Sequence, residues 1–110
     1  MQIVKKENLT IISSDEDSFS VFYDAFLIEE KKRQEENIIL QVFENINVSK
    51  EEFLLFLDIA ALKKENGTSF VIVNSDIDVD DFPEDFNIVP TLQEAEDVIE
   101  MENIERALGF

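Results

Sequence analysis

Two short apolar runs limit what this chain can fold into more than any other feature. The segment from Asn37 to Phe43 contains Ile38-Ile39-Leu40-Gln41-Val42-Phe43, and the segment from Thr68 to Asn74 contains Phe70-Val71-Ile72-Val73 in succession. Both are rich in Ile and Val, too short for a typical helix and without clean polar alternation, so each reads as a strand covered on both faces. Between them Ser49-Lys50-Glu51-Glu52 has the form of a capping box, and a helix is predicted from there to about Glu65, where Asn66-Gly67 ends it. Strands separated by helices imply crossovers and parallel neighbours.

The flanking segments extend this plan. Gln2 to Lys5 and Asn8 to Ser14 alternate, with Leu9 and Ile11 on one face and Thr10 and Ile12 on the other, which predicts a β-hairpin. Ser13-Ser14-Asp15-Glu16-Asp17-Ser18 then ends the second strand and offers helix N-caps. Phe19, Phe22, Tyr23, Phe26 and Leu27 follow at helical spacing and form one inward stripe, with Lys31, Lys32 and Arg33 close to the helix end, where cations suit the dipole. Phe86 to Val89 reads as a short strand, and Thr91-Leu92-Gln93-Glu94 as a second capping box. The last helix is expected to turn Leu92, Ala95, Val98 and Ile99 inward, with Met101 and Ile104 beside them. The predicted fold is a single α/β domain over residues 1–110, with a mixed sheet of four to five strands and helices mainly on one face, in the order β-β-α-β-α-β-β-α.

Composition narrows the chemistry. The 110 residues contain no Cys and no His, which removes disulfides, thiolate metal sites and the usual general base near neutral pH. The expectation is therefore no cofactor and no metal. Twenty-six acids against nine bases give a net charge of −17, and residues 75–110 carry twelve acids against the single base Arg106. Such a surface repels nucleic acid and anionic membrane, and it suits a protein partner with a basic surface. The first ten residues alternate polar and apolar side chains, and no apolar run approaches the roughly 18 residues of a membrane span. A cytoplasmic protein is expected.

Over nearly its whole length the chain resembles the STAS family, the anti-sigma factor antagonist domain. Ile38 to Phe43 sits where that family has a buried strand, Asn45 to Glu52 where a loop enters a helix, Phe70 to Asn74 at the next strand, and Thr91 onward at the terminal helix. The resemblance implies a non-catalytic switch module that docks a partner around the start of its second helix and is regulated by phosphorylation of a Ser or Thr. The family's Asp-Ser-Ser-Gly-Leu signature falls on Ser49-Lys50-Glu51-Glu52-Phe53; only Phe53 keeps its chemical character, and Glu51 stands at the phospho-acceptor position. A fixed negative charge there mimics a phosphorylated state or steadies the helix start. The C-terminal part, from Phe70-Val71-Ile72-Val73 through Val89-Pro90-Thr91-Leu92-Gln93-Glu94 to Leu108-Gly109-Phe110, also resembles small acidic Bacteroidetes proteins, some labelled ribonuclease Z. That enzyme's metal site is built from several His, so the resemblance implies an accessory role beside such an enzyme.

The candidate partner surface is Asn45 to Phe56, with Asn45, Asn47, Ser49, Lys50, Glu51, Leu54 and Leu55 as contact residues and Ser49 as the candidate modification site. The helix that follows Ser49 has almost no polar face, only Asp58 interrupting Phe53 to Leu62. Either neighbours bury its flanks, or Leu54, Leu55 and Leu62 form an exposed patch for docking or homodimerisation. A carboxylate enzyme using the 76–85 loop is the alternative from another class. Asp76, Asp78 and Asp80 alternate like a calcium loop, yet Asp81 stands where that loop needs Gly and Asn87 where it needs a bidentate Glu. Tyr23 reads as a core aromatic with its hydroxyl at the edge.

Overall fold

A computed structural model describes residues 1–43, 46–76, 80, 82–83 and 86–109. It is an α/β fold in which five strands, β1 (Gln2–Lys5), β2 (Thr10–Ser13), β3 (Ile38–Gln41), β4 (Phe70–Val73) and β5 (Ile88–Val89), lie side by side in chain order. β1 pairs antiparallel with β2 as the expected hairpin, and β2 to β5 are parallel. Four helical segments complete the order: α1 (Phe19–Lys32) after β2, α2 (Lys50–Leu54) and α3 (Leu57–Glu65) after β3, and α4 (Leu92–Ala107) after β5.

The period of two along each strand sorts the core into two layers. Ile12, Ile38, Leu40, Phe70, Ile72 and Ile88 face α1, α2 and α3 through Phe19, Phe22, Phe26, Phe53, Phe56 and Ile59. Ile11, Ile39, Val71 and Val73 face α4 through Ala95 and Ile99. The two apolar runs are thus covered on both sides, which is why they lack alternation.

The expected helix from Ser49 to Glu65 is divided at Leu55-Phe56. Leu55 N–H donates to the Glu52 carbonyl at 3.1 Å and Phe56 N–H to that of Phe53 at 3.1 Å, the tighter three-residue closure of a 3₁₀ turn. That closure brings Phe53 and Phe56 onto one side, and both are buried. Phe56 then meets the rings of Phe19, Tyr23, Phe26 and Phe70, at centroid separations of 6.0, 5.3, 5.5 and 6.1 Å. Such edge and tilted contacts are favourable for aromatic quadrupoles. α3 stops as the sequence predicts: Gly67 adopts φ +75°, and Thr68 N–H and Gly67 N–H donate back to the carbonyls of Lys63 and Lys64 at 2.9 and 3.1 Å.

The Ser-rich acidic stretch ends β2 and caps α1 as expected: Ser18 Oγ accepts from Val21 N–H at 3.4 Å, Ser13 is the last residue of β2, and Ser14 is buried and accepts from Phe43 N–H at 3.0 Å. Two other expectations need correction. Met101 and Ile104 face outward, because the inner face of α4 is already filled by Leu92, Ala95, Val98 and Ile99. Of the second capping box only the Thr91 half forms, its hydroxyl accepting from Glu94 N–H at 3.2 Å. No helix among the described residues is long and apolar enough to cross a membrane.

Candidate functional site

The parallel strands end along one edge, and the connections leaving that edge diverge. The chain after β3 passes to the face covered by α2 and α3, whereas the chain after β5 passes to the face covered by α4. Diverging connections at the carboxyl ends of parallel strands leave a crevice, the usual place for a site in an α/β sheet. Here the crevice is an open cleft of about 410 Å³ bordered by Gln41, Phe43, Asn74, Ser75, Thr91 and Leu92. Its floor is fixed by Asn74, whose Nδ2 donates to the Val42 carbonyl at 3.1 Å and whose Oδ1 accepts from Asp76 N–H at 2.9 Å. Phe43 stands at its rim, 45% exposed.

The predicted contact residues follow on the same connection. Asn45 lies outside the described residues. Asn47, Ser49, Lys50 and Glu51 are exposed, Leu54 is half-buried, and Leu55 is 49% exposed. Ser49 forms the reciprocal box, its Oγ accepting from Glu52 N–H at 3.2 Å while Glu52 Oε1 accepts from Ser49 N–H at 3.0 Å. A phosphoryl group on Ser49 would sit against the Glu52 carboxylate and break that reciprocity. Glu51 lies in the first turn of α2 with Glu52, where negative charge suits the helix dipole. Phe53, the residue that matches the family signature, is buried.

Beyond Leu55, Leu62 of α3 is also 41% exposed, so the helix pair that covers the sheet leaves large apolar side chains in solvent at its junction and along α3. Tyr23 of α1 lies beside this surface as expected: half-buried, with its hydroxyl donating to the Leu55 carbonyl at 3.4 Å. Desolvation, with Asp58 and Asp24 nearby, raises the phenol above its ordinary 10, so it stays a donor at neutral pH.

The acidic loop gives less. Asp76 and Asp80 are exposed, and Asp78 and Asp81 lie outside the described residues. Asp80 and Glu94 border a second open cleft of about 550 Å³. Among the described residues no group of three or more acids is placed to hold a metal ion.

Two features escaped the sequence reading. Lys63 is fully buried, and its Nζ donates to the carbonyls of Arg33 at 2.6 Å and Glu36 at 2.8 Å. It thereby satisfies the Glu36 carbonyl and shares the Arg33 carbonyl with the Glu36 N–H, in the turn that follows α1. Lys63 shares the buried side of α3 with Ile59, a side that the apolar stretch Phe53 to Leu62 does not name in the sequence. At the amino edge of the sheet, the residue just before each of β3, β4 and β5 is polar: Asn37, Ser69 and Asn87. Ser69 Oγ donates to Glu102 Oε1 at 2.6 Å, Asn87 Nδ2 to Glu102 Oε2 at 3.0 Å, and Arg106 Nη2 to Ser69 Oγ at 3.1 Å. Asn37 joins by accepting from Ser69 N–H at 2.8 Å and donating to Asn103 Oδ1 at 3.4 Å. The recurrence of a small polar residue one position before each strand could have revealed it. This network holds the C-terminal half of α4 in a fixed rotation.

Compared with known proteins, the chain matches no family model and no curated protein.

Proposed function

We propose that this chain is a non-catalytic protein-interaction module of the STAS type, acting in the cytoplasm, with its docking surface on the connection after β3 and on α2. The observation that carries this reading is the exposure of Phe43 and Leu55, large apolar side chains on either side of Asn47, Ser49, Lys50 and Glu51. Exposed large apolar side chains interleaved with exposed polar ones are the composition of a docking patch. The five-stranded mixed sheet, with α1, α2 and α3 on one face and α4 on the other, is an α/β fold compatible with this reading. Because Glu51 replaces the phospho-acceptor and Ser49 is engaged in its cap, docking at this surface is constitutive and not switched by a kinase. The acidity of the whole chain selects a partner with a basic surface.

The exposure of Leu55 and Leu62 favours a second reading, a homodimer through the same helices. Affinity capture from the cells that make the protein separates the two, comparing wild type with a Leu54→Asp/Leu55→Asp variant whose folding has been verified. A discrete partner retained by wild type and lost by the variant is expected. Wild type that captures nothing reproducible and sediments as a dimer would establish the second reading. Turnover of any substrate by the purified chain would refute a non-catalytic role.

A further inference from the structure

We propose that the outer face of α4 is a separate docking surface that receives a basic amphipathic helix of another protein. Met101, Ile104 and Leu108 are 61%, 54% and 67% exposed. Spaced three and seven residues apart, they lie in one stripe about 10 Å long on a helix rising 1.5 Å per residue. A single exposed aliphatic residue is ordinary, whereas a row of three on a helix whose opposite face already fills the core is not.

The stripe cannot relieve its exposure by turning inward. Glu102, Asn103 and Arg106 are tied to Asn37, Ser69 and Asn87 at the amino edge of the sheet, and Ala95 and Ile99 are buried against β3 and β4. The rotation of α4 is therefore set from both ends.

Charge selects the occupant. Glu94, Asp97, Glu100 and Glu105 are exposed on the same helix. Arg106, the one base in residues 75–110, points its guanidinium at Ser69 and Asn103 and does not offset them. A second copy docking through a two-fold axis would set this acidic margin against itself, on molecules that each carry −17. A helix with Leu or Ile along one side and Lys or Arg along its flanks complements both the apolar stripe and its margin.

The test uses a synthetic helical peptide of about 18 residues with Leu on one face and Lys on the others, a length of five turns. Isotope-labelled protein is titrated with it at about 0.15 M salt, where long-range attraction is screened. Shift changes centred on Met101, Ile104 and Leu108 are expected. The charge-neutral M101S/I104S variant should bind at least about tenfold more weakly, equivalent to about 1.4 kcal/mol, while Ile28→Ser, at a 60% exposed position on α1, should bind as wild type does. If the double substitution lowers the melting temperature, Leu108→Ser supplies the same readout. Three results would overturn the proposal: unchanged affinity in the serine variants, equal binding of a sequence-scrambled peptide with the same lysine count, or a wild-type dimer that the serine variants abolish.

Discussion

Lys63 is the residue on which two elements depend. Burial pulls its ammonium below the usual lysine value, and the carboxylates of Glu30 and Glu36 oppose that fall. Its Nζ donates to the Glu36 carbonyl and shares the Arg33 carbonyl with the Glu36 N–H, tying α3 to the turn after α1. Replacing it in Lys63→Met keeps the stem, leaves the Arg33 carbonyl its bond from Glu36 N–H and strands the Glu36 carbonyl, so a loss of about 1–3 kcal/mol is expected in chemical denaturation. Glu36 makes the complementary case at the protein's edge. A short hydrogen bond from the Thr10 hydroxyl holds its carboxyl below the ordinary 4.5, helped by Lys5 and Arg33. The unfolded chain therefore binds that proton more readily than the folded one. The contribution is complete above 4.5 and disappears as pH falls through the depressed folded value. A Glu36→Gln variant should show a flatter acid limb in its melting temperature against pH, and an unchanged limb would rule out this pairing. Neither residue stood out in the sequence, because a Lys near a helix end and a Glu before a strand are ordinary on a solvated surface; the packing of α3 on the turn after α1 gives Lys63 its partners, and the hairpin strands bring Thr10 and Lys5 to Glu36.

Strands and helices were largely legible, since their identity rests on local periodicity. Runs such as Phe70-Val71-Ile72-Val73 can be satisfied only between two layers, and α4 covers one side while α1, α2 and α3 cover the other. What sequence could not give was rotation. The stretch from Phe53 to Leu62 is apolar all round, so its pattern names no inward face, and the face is chosen by Phe56 meeting four rings from α1 and β4. The same indeterminacy misplaced Met101 and Ile104, whose direction is set by polar ties at Glu102, Asn103 and Arg106. The candidate site was legible only in part: Ser49, Lys50, Glu51 and Leu55 are on the surface as expected, while the contribution of Phe43 depends on where the connections after β3 and β5 diverge. A paired substitution measures the rotation directly. Phe56→Ala should cost about 3–5 kcal/mol, as an emptied aromatic core position does, while its exposed neighbour Leu55→Ser should stay within about 0.5 kcal/mol. Equal costs at the two positions would mean that the helices are rotated otherwise.

At the scale of the whole molecule, charge governs both stability and choice of partner. A net charge of −17 on 110 residues acts against compaction, and salt screens that self-repulsion over a Debye length of about 8 Å at 0.15 M. The melting temperature should rise between about 10 and about 200 mM NaCl, and a fall would show that paired charges such as Arg33 with Glu29 and Glu36 outweigh the repulsion. The same field is the ground on which a basic partner is proposed for the surfaces at Leu55 and on α4. The most direct test of the account places a photo-activatable residue at Leu55, and separately at the exposed Glu65, in the cells that make the protein. Coupling to one discrete protein of another kind from Leu55, and not from Glu65, is the predicted result. No adduct from Leu55, or an adduct joining two copies of this chain, would contradict it.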